Sequence, residues 1–376
     1  MERLFERKWF LVGMRGDVPK KRDYLRFDLL GEEYFLIHGN DGVIRCYVNR
    51  CAHQSARLVK GETGRCAARI ICPNHQWAFD PNNGEVVHAS FMPDDFVGSK
   101  ECGKFNLTEI PLREAGLMLF ACLGDDAPHK DMDLIAQTLA PYTDPFVNSG
   151  HDYKQAYHMR EVMDANWLMA MINNRECCHC AQNHKRLLAL FDPSSFNGEH
   201  TPDYAARLNA AQRRWEAQGL AWKEQAFDSS EDMRIARYPM GEGFKSQTFD
   251  GELACHKLIG PFAGGEPDEG TLSFWLNPNA WVHFVSDHII ANWVLPLSED
   301  RCAFYTSWIV HEDAVEGVDY SAEHMKEVWI VTNREDVALC QSMTEGTRSK
   351  YYKPGPYAPP EQFCTQFCDW YMKHSQ

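Results

Sequence analysis

The chain has 376 residues, of which 44% are hydrophobic and 24% charged, and its net charge at pH 7 is −15. This length exceeds one ordinary hydrophobic core and predicts two domains. The acidic charge would repel nucleic acid, and no basic stripe offsets it, so we expect no nucleic-acid partner. No apolar run approaches the ~18 residues that a membrane helix needs. Residues 1–13 also lack the layout of a signal peptide, so we expect a cytoplasmic protein without membrane contact.

The chain contains 14 cysteines, and they follow no even spacing. In a reducing cytoplasm we expect mostly free thiols together with a few metal ligands. Several are expected to be small buried hydrophobic side chains, namely Cys46, Cys102, Cys122, Cys255 and Cys302. Three more lie within residues 177–180, in a stretch that also contains histidines and a glutamate.

Strand patterns dominate the first third of the chain. Residues 24–50 alternate short apolar runs with the turn sequences GEE and GNDG, which predicts a β-meander with hairpin turns. Similar runs continue to about residue 120, so this part is predicted to be a small all-β unit.

Helical patterns enter after residue 125. Helices are predicted over 131–142, 165–191, 202–222, 321–346 and 360–374, and strands within 233–311. Strands followed by long flanking helices indicate an α+β second domain. We therefore expect one domain over 1–150 and a second over 151–376.

Two Cys/His pairs stand in the β-rich part. Residues 51–53 read Cys-Ala-His, residues 72–75 read Cys-Pro-Asn-His, and 18 residues separate the pairs. Zinc sites usually combine C-x2-C or pairs of like ligands, so zinc fits this pattern poorly. The pattern resembles the Rieske motif, which implies a [2Fe–2S] cluster held by Cys51, His53, Cys72 and His75. The loops lack the extra cysteines of respiratory Rieske proteins, and Gln54-Ser55 replaces the Arg-Gly that is usual in oxygenases.

The stretch NNRECCHCAQNH at 173–184 begins 98 residues after the second pair. A Rieske domain followed by more than 200 residues resembles a Rieske non-haem iron oxygenase, terminal (α) subunit. The resemblance implies that His179 and His184 hold a mononuclear Fe(II), with Asn173 in the catalytic site. On a regular helix these histidines, five apart, point ~140° away from each other, so the helix must loosen between them. A Cys/His zinc knot is the alternative, although adjacent helical positions diverge too far to share one ion.

A carboxylate is needed to complete a triad of two histidines and one acid. The late helix offers Glu335 and Asp336, whose side chains diverge by ~100°, so only one should point inward. The resemblance selects Asp336. It further implies that Glu176 is no ligand but bridges a Rieske histidine of a neighbouring subunit to an iron-binding histidine, which requires a head-to-tail homotrimer. Cys178 stands where the family commonly has Tyr.

The C-terminal third narrows the substrate. The segments WIVHEDAVEGVDY, TNRED and YYKPGPYAPPEQF resemble the glycine betaine and stachydrine demethylase branch. This implies a helix-grip (Bet v1-like) catalytic domain and O2-dependent N-demethylation of a small quaternary ammonium compound. The cation would face aromatic rings, and residues 272–310 supply Phe274, Trp275, Trp281, Phe284, Trp293, Tyr305 and Trp308. His288 could face that pocket or pack beneath it.

Two alternatives remain open from the sequence. One is an oxygenase that hydroxylates or O-demethylates an aromatic acid, and the other is an electron carrier that has lost the mononuclear iron. The resemblance implies a separate NAD(P)H-dependent reductase with flavin and an iron–sulfur centre. The absence of a Gly-rich dinucleotide motif from the sequence agrees with that expectation.

Overall fold

The computed structural model describes residues 2–124, 126–191, 200–227 and 232–376. Its N-terminal part consists of one short helix followed by strands. These are α1 (Glu2–Arg7), β1 (Phe10–Met14), β2 (Asp23–Leu29), β3 (Glu32–His38), β4 (Ile44–Val48), β5 (Thr63–Arg65), β6 (Ile70–Ile71), β7 (Ala78–Phe79), β8 (Val86–His88), β9 (Glu109–Ile110), β10 (Leu112–Ala115) and β11 (Met118–Ala121). The prediction of a β-rich unit over the first third is confirmed.

The N-terminal strands form three antiparallel sheets. Their orders are β5-β2-β3-β4-β9, β6-β7-β8 and β1-β11-β10. The small β6-β7-β8 sheet and the inner face of the five-stranded sheet share a core of their own, which includes Phe35, Tyr47, Trp77 and Phe79. This separate core lies directly beneath the two Cys/His loops, because Cys51 and Cys72 belong to it.

The C-terminal part is a large antiparallel sheet with helices. Its elements are α2 (His129–Val147), β12 (Tyr153–Met163), α3 (Trp167–Asn173), α4 (Cys180–Asn183), α5 (Leu187–Leu190), α6 (Pro202–Ala217), β13 (Met233–Pro239), β14 (Gly270–Leu276), β15 (Ala280–Phe284), β16 (Ile289–Pro296), β17 (Cys302–His311), α7 (Ala322–Thr347) and α8 (Gln362–His374). The sheet order is β12-β17-β16-β15-β14-β13, antiparallel throughout. This is the predicted α+β arrangement of an antiparallel sheet with long helices.

The sheet is buried on both faces. Every residue of β13, β14, β15 and β16 is buried, which agrees with their near-continuous apolar sequences. Helix α3 packs against α7 and against β16. Helix α7 thereby places its inward side chains opposite the sheet.

Hydrogen bonds join the N-terminal strands to the large sheet. The Asn279 side chain bonds both backbone groups of Leu11, at 3.0 and 2.9 Å. The Asp28 backbone N–H donates to the Tyr305 hydroxyl at 3.0 Å, and the Asp28 carboxylate accepts from Arg160 at 2.5 Å. Tyr305 therefore contributes to the contact between the two parts of the chain.

Three sequence expectations need correction. The single helix predicted over 165–191 is broken into α3, α4 and α5, with irregular backbone between them. Helix α2 runs to Val147 although Pro141 and Pro145 lie within it. Strand β12, the long edge strand, has no counterpart among the predicted strands, because its sequence YKQAYHMREVM is largely polar and only partly buried.

Among the described residues, no helix combines the length and the apolar character that crossing a bilayer would require.

Candidate metal centres

The two Cys/His pairs lie on facing turns of the N-terminal part. Cys51 and His53 follow β4, while Cys72 and His75 lie between β6 and β7. Each turn is closed by the carbonyl of its cysteine, which accepts the N–H four residues later: Ser55 at 2.8 Å and Gln76 at 3.1 Å. The two turns therefore have matching backbone geometry and present their ligand pairs toward each other.

The side chains of these four residues meet at one place. The imidazole rings of His53 and His75 are 4.8 Å apart, and His53 stacks on Trp77 at 4.8 Å with an interplanar angle of 2°. Both cysteines are buried, whereas both histidines are partly exposed. Burial raises the pKa of the Cys51 thiol, and contact with Cys72 raises it further, so the two thiolates would need a cation between them.

The chemistry of this group fits a [2Fe–2S] cluster. His53 Nδ1 is buried and has no hydrogen-bond partner. A buried ring nitrogen without a partner is costly unless it binds something else. Two buried sulfurs beside two imidazoles at the surface are the ligand set of a Rieske centre.

Asn49 holds the first turn in place. The Asn49 side chain is fully buried. Its oxygen accepts from the N–H groups of Leu58 at 3.0 Å and Val59 at 2.9 Å, and its amide donates to the Val59 carbonyl at 2.8 Å. These bonds close the loop that starts at Cys51.

The second group lies where the broken helix segments meet α7. His184 Nε2 is 2.9 Å from Asp336 Oδ1, and His179 Nε2 is 3.4 Å from the same oxygen. His184 is almost fully buried, while the Asp336 side chain keeps 26% of its exposure. The break after α3 lets His179 and His184 converge, as the sequence geometry required. Two imidazoles and one carboxylate form the ligand set typical of non-haem Fe(II), so the residues present fit that metal.

Each of these histidines is also held from its other ring nitrogen. His179 Nδ1 donates to Glu176 Oε1 at 2.5 Å, and His184 Nδ1 donates to Glu335 Oε2 at 2.7 Å. The expectation that only one of Glu335 and Asp336 would point inward is therefore wrong. Both carboxylates reach His184, on opposite sides of its ring.

Asn173 contacts the same carboxylate. Its side-chain amide donates to Asp336 Oδ1 at 2.7 Å, and the residue is buried at the end of α3. The amide donor fixes the carboxylate that faces both histidines. Sequence reasoning named Asn173, and the structure places it directly against Asp336.

The charges of this group depend on one another. Burial lowers the pKa of His179, but contacts with Asp336 and Glu176 outweigh it and raise the pKa to about 9. For His184, contacts with Asp336 and Glu335 likewise outweigh burial and raise the pKa. For Asp336, contacts with the two histidines outweigh burial and lower the pKa. Without metal, protons occupy the positions between the rings and the carboxylate, so a bound cation would replace them.

The cysteine cluster differs from expectation. Cys177 and Cys180 form a disulfide, whereas Cys178 is a free and exposed thiol. The donor atoms of His179, Cys180 and His184 do lie within 4.8 Å of one another. Because Cys180 is bonded to Cys177, it offers no thiolate to a metal here. The other expected buried cysteines, Cys46, Cys102, Cys122, Cys255 and Cys302, are buried free thiols.

A cavity opens beside the triad of His179, His184 and Asp336. It has a volume of about 60 Å³ and is partly open to solvent. Beyond residues of 173–184 and Asp336, its lining consists of Leu187, Phe191, Trp275, His283, Trp329 and Thr332. Among the described lining residues there is no lysine and no arginine.

Comparison with protein families settles the class. Residues 8–99 match the model of the Rieske [2Fe-2S] domain, and residues 146–376 match that of the ring hydroxylating alpha subunit (catalytic domain). The chain belongs to the Rieske non-haem iron oxygenases. As a member of this family the oxygenase carries a Rieske cluster in its N-terminal domain and a mononuclear iron in its catalytic domain.

Relatives of the oxygenase are described as oxygenase subunits of larger enzymes. The glycine betaine monooxygenase oxygenase subunit of Chromohalobacter salexigens is 34% identical over 374 residues, which is 99% of this chain and 81% of the relative. The corresponding subunit of Pseudomonas aeruginosa is 32% identical, with 99% and 85% covered. A carnitine monooxygenase oxygenase subunit of Escherichia coli is 28% identical over 49% of this chain and 47% of the relative.

Solved structures support the fold of the oxygenase. The quaternary ammonium Rieske monooxygenase CntA, crystallised with an inhibitor, matches with a TM-score of 0.71 and 17% identity over 100% of this chain and 91% of its own. Naphthalene 1,2-dioxygenase with bound indole matches with a TM-score of 0.68 and 16% identity, over 99% and 88%. At these identities the likeness establishes the fold alone.

The sequence predicted only some of the residues that line the cavity of the oxygenase. Of the strand aromatics named, Trp275 lines this cavity, and Trp281 lines a smaller adjoining space beside Asp336. Trp293 instead stacks on Tyr305 at 5.3 Å. His288 is fully buried against Asp287, at 2.8 Å, and is not among the lining residues.

Phe191, His283 and Trp329 were missed. Trp329 precedes Asp336 by seven residues on α7, and Phe191 follows His184 by seven. Seven residues are two helical turns, so the Trp329 spacing puts its side chain on the face of Asp336. The spacing from Asp336 could therefore have predicted Trp329 as a residue that lines the cavity. His283 carried no comparable signal, since a histidine among apolar strand residues also suits an ordinary core.

Proposed function

We propose that this oxygenase is the terminal component of a two-component monooxygenase that N-demethylates a small quaternary ammonium compound, such as glycine betaine, stachydrine or a carnitine-like betaine. The observation that carries the proposal is the cavity in which the triad meets three aromatic residues. The near-full-length similarity to glycine betaine monooxygenase oxygenase subunits supports it.

The proposal assigns the metal ligands. Cys51, His53, Cys72 and His75 hold the [2Fe–2S] cluster. His179, His184 and Asp336 hold the mononuclear Fe(II), which when bound supplies the activation of O2 for insertion into a C–H bond. Loss of formaldehyde from the hydroxylated N-methyl group completes the demethylation.

The aromatic lining suits the charge of the substrate. A quaternary ammonium has no N–H to donate, and it is attracted to the faces of aromatic rings. Phe191, Trp275 and Trp329 offer such rings beside the triad. Trp329 is fixed because its indole N–H donates to Gln247 at 3.0 Å. The described lining residues include no lysine or arginine, whose fixed charge would repel the ammonium.

In this proposal Glu176 is the electron bridge between subunits. One of its oxygens holds His179, and its side chain retains 12% of its exposure. Within the described chain, no hydrogen bond joins Glu176 to His53 or His75. A Rieske histidine of a neighbouring subunit would therefore complete the bridge, which makes a head-to-tail ring, in the proposal a trimer, the working assembly.

A separate reductase supplies the electrons in this proposal. It would take them from NAD(P)H through flavin and an iron–sulfur centre and reduce the Rieske cluster. The partly exposed edges of His53 and His75 offer a surface at which that transfer can take place.

A product assay tests the proposal. Purified oxygenase with a reductase, NADH and O2 is expected to release formaldehyde from glycine betaine, stachydrine or carnitine. Formaldehyde from methoxybenzoates alone would favour an aromatic-acid O-demethylase instead. Iron analysis tests the centres, because about three iron atoms per chain are expected with both centres filled and about two if only the cluster is present.

A further inference from the structure

His283 lies in the wall of the triad cavity and has no role in the mechanism so far. It is the fourth of the five residues of β15 and is almost fully buried, with 4% of its surface exposed. Its ring stacks on Trp329 at 4.9 Å with an interplanar angle of 15°. The ring is thereby held in the same wall as an aromatic residue proposed to face the ammonium group.

A chain of hydroxyls contacts the Nδ1 atom of the His283 ring. Tyr238 Oη lies 3.0 Å from Ser273 Oγ, and Ser273 Oγ lies 2.7 Å from His283 Nδ1. Burial raises the pKa of Tyr238 to about 12, so its hydroxyl stays protonated and can donate to Ser273. In the proposed arrangement, Ser273 donates to His283 Nδ1. With Nδ1 accepting, the ring proton resides on Nε2, which makes this atom a hydrogen-bond donor.

His283 is neutral while it donates. Complete burial, with a smaller effect of the nearby His288, lowers the pKa of His283 to about 3. A neutral ring does not repel the cationic end of a betaine, whereas a lysine or arginine in its place would. A neutral donor can therefore serve an anionic group in the same small cavity that accepts an ammonium.

We propose that His283 recognises the carboxylate of a zwitterionic betaine through Nε2–H and so selects betaines over quaternary amines without a carboxylate. This inference rests on the proposed function and deepens it. Betaines hold their two charges a few bonds apart, so an ammonium near Trp329 brings the carboxylate close to the stacked His283.

The test compares two variants with two ligands. His283→Leu removes the donor, and His283→Gln keeps a side-chain N–H at similar reach. Glycine betaine is compared with its methyl ester, which keeps the ammonium but has no charged carboxylate. Formaldehyde release gives KM and kcat, and calorimetry on the oxidised holoenzyme gives the dissociation constant of each ligand.

Loss of a hydrogen bond to a charged group corresponds to about a 10- to 100-fold loss of affinity. We expect His283→Leu to raise KM and the dissociation constant for glycine betaine by that factor, to change those for the ester by less than about twofold, and to leave kcat nearly unchanged. His283→Gln is expected to recover most of the preference. Iron content and Rieske absorption should equal those of the wild type in both variants.

Some results would overturn the inference. Equal loss for both ligands in His283→Leu would give His283 a structural role only, and so would a His283→Gln variant that behaves like His283→Leu. A wild-type enzyme that demethylates both ligands equally would contradict carboxylate recognition while leaving the proposed function intact. A wild-type enzyme that demethylates neither of these ligands, and neither stachydrine nor carnitine, would instead refute the proposed function itself.

Discussion

At the scale of single residues, the two histidines of the triad, His179 and His184, share one arrangement. In each ring Nε2 faces Asp336 and Nδ1 is held by a glutamate, Glu176 for His179 and Glu335 for His184. Carboxylates that hold the outer nitrogen of a metal-binding histidine fix its ring orientation and raise its basicity. The sequence predicted the contact of Glu176 with an iron-binding histidine but not that of Glu335. Glu335 precedes Asp336 on a helix, so its side chain was expected to point away from that of Asp336.

Removal of His179 tests the ligand assignment. In His179→Ala we expect loss of the mononuclear iron and of turnover, because one of three protein ligands is gone. Iron analysis should fall by about one atom per chain while the Rieske absorption stays at the wild-type level. Turnover retained in this variant would exclude His179 as a ligand.

The two glutamates form a matched pair. Glu176→Gln is expected to leave both centres filled and to slow reduction of the catalytic site in single-turnover measurements, because the charged bridge is lost. Glu335→Gln is the control, since it weakens the hold on His184 and leaves Glu176 intact. Because both variants remove the same kind of carboxylate–histidine contact, Glu335→Gln should retain iron to the same extent as Glu176→Gln and leave the transfer rate unchanged. Equal transfer rates in both variants would count against the bridge.

The exposed thiol offers a further check. Cys178→Ser is expected to leave iron content and turnover unaltered, because Cys178 is exposed and lies outside the triad. Measurement of mononuclear iron in the variant decides the matter. Iron loss would instead identify a thiolate ligand and revive the alternative of a Cys/His site.

At the scale of elements, the cluster loops depend on a few buried polar contacts. Asn49→Ala removes three buried hydrogen bonds that close the loop after Cys51. A loss of about 3 kcal/mol of stability is expected, because the partner backbone groups remain buried. Thermal bleaching of the Rieske absorption should therefore begin at lower temperature.

Asn40→Ala serves as the control for that variant. The Asn40 side chain makes one exposed bond, to the Ala68 carbonyl at 3.2 Å, in the same domain. Its replacement should leave the bleaching temperature almost unchanged. If both variants bleach alike, the Asn49 contacts contribute nothing specific to the cluster loop.

The elements themselves were predictable to the extent that their sequences are periodic. The strands of 270–311 and helix α7 follow from apolar runs and helical spacing, and both are found. The break between α3 and α5 was predicted only from the demand that His179 and His184 converge. Strand β12 was missed because an edge strand with polar residues lacks the apolar signal. The side chains of the triad converge as expected, while their roles as ligands stay predictions.

At the scale of the whole molecule, side-chain hydrogen bonds join the two domains. Asp28 of the N-terminal domain bonds both Arg160 and Tyr305 of the large sheet. Within this arrangement Glu176 holds His179 but makes no hydrogen bond to a Rieske histidine among the described residues. We propose that electrons pass between chains, from the cluster of one subunit to the iron of the next.

Mixed assemblies test this central claim most directly. Cys72→Ser should disable the cluster and His179→Ala the mononuclear site, so each variant alone is expected to be inactive. Co-expressed in equal amounts, the two chains should recover about a quarter of wild-type formaldehyde release, since one interface in four in a head-to-tail ring joins two intact centres. Activity that stays at the level of the separate variants, in assemblies shown to contain both chains, would contradict electron transfer between subunits.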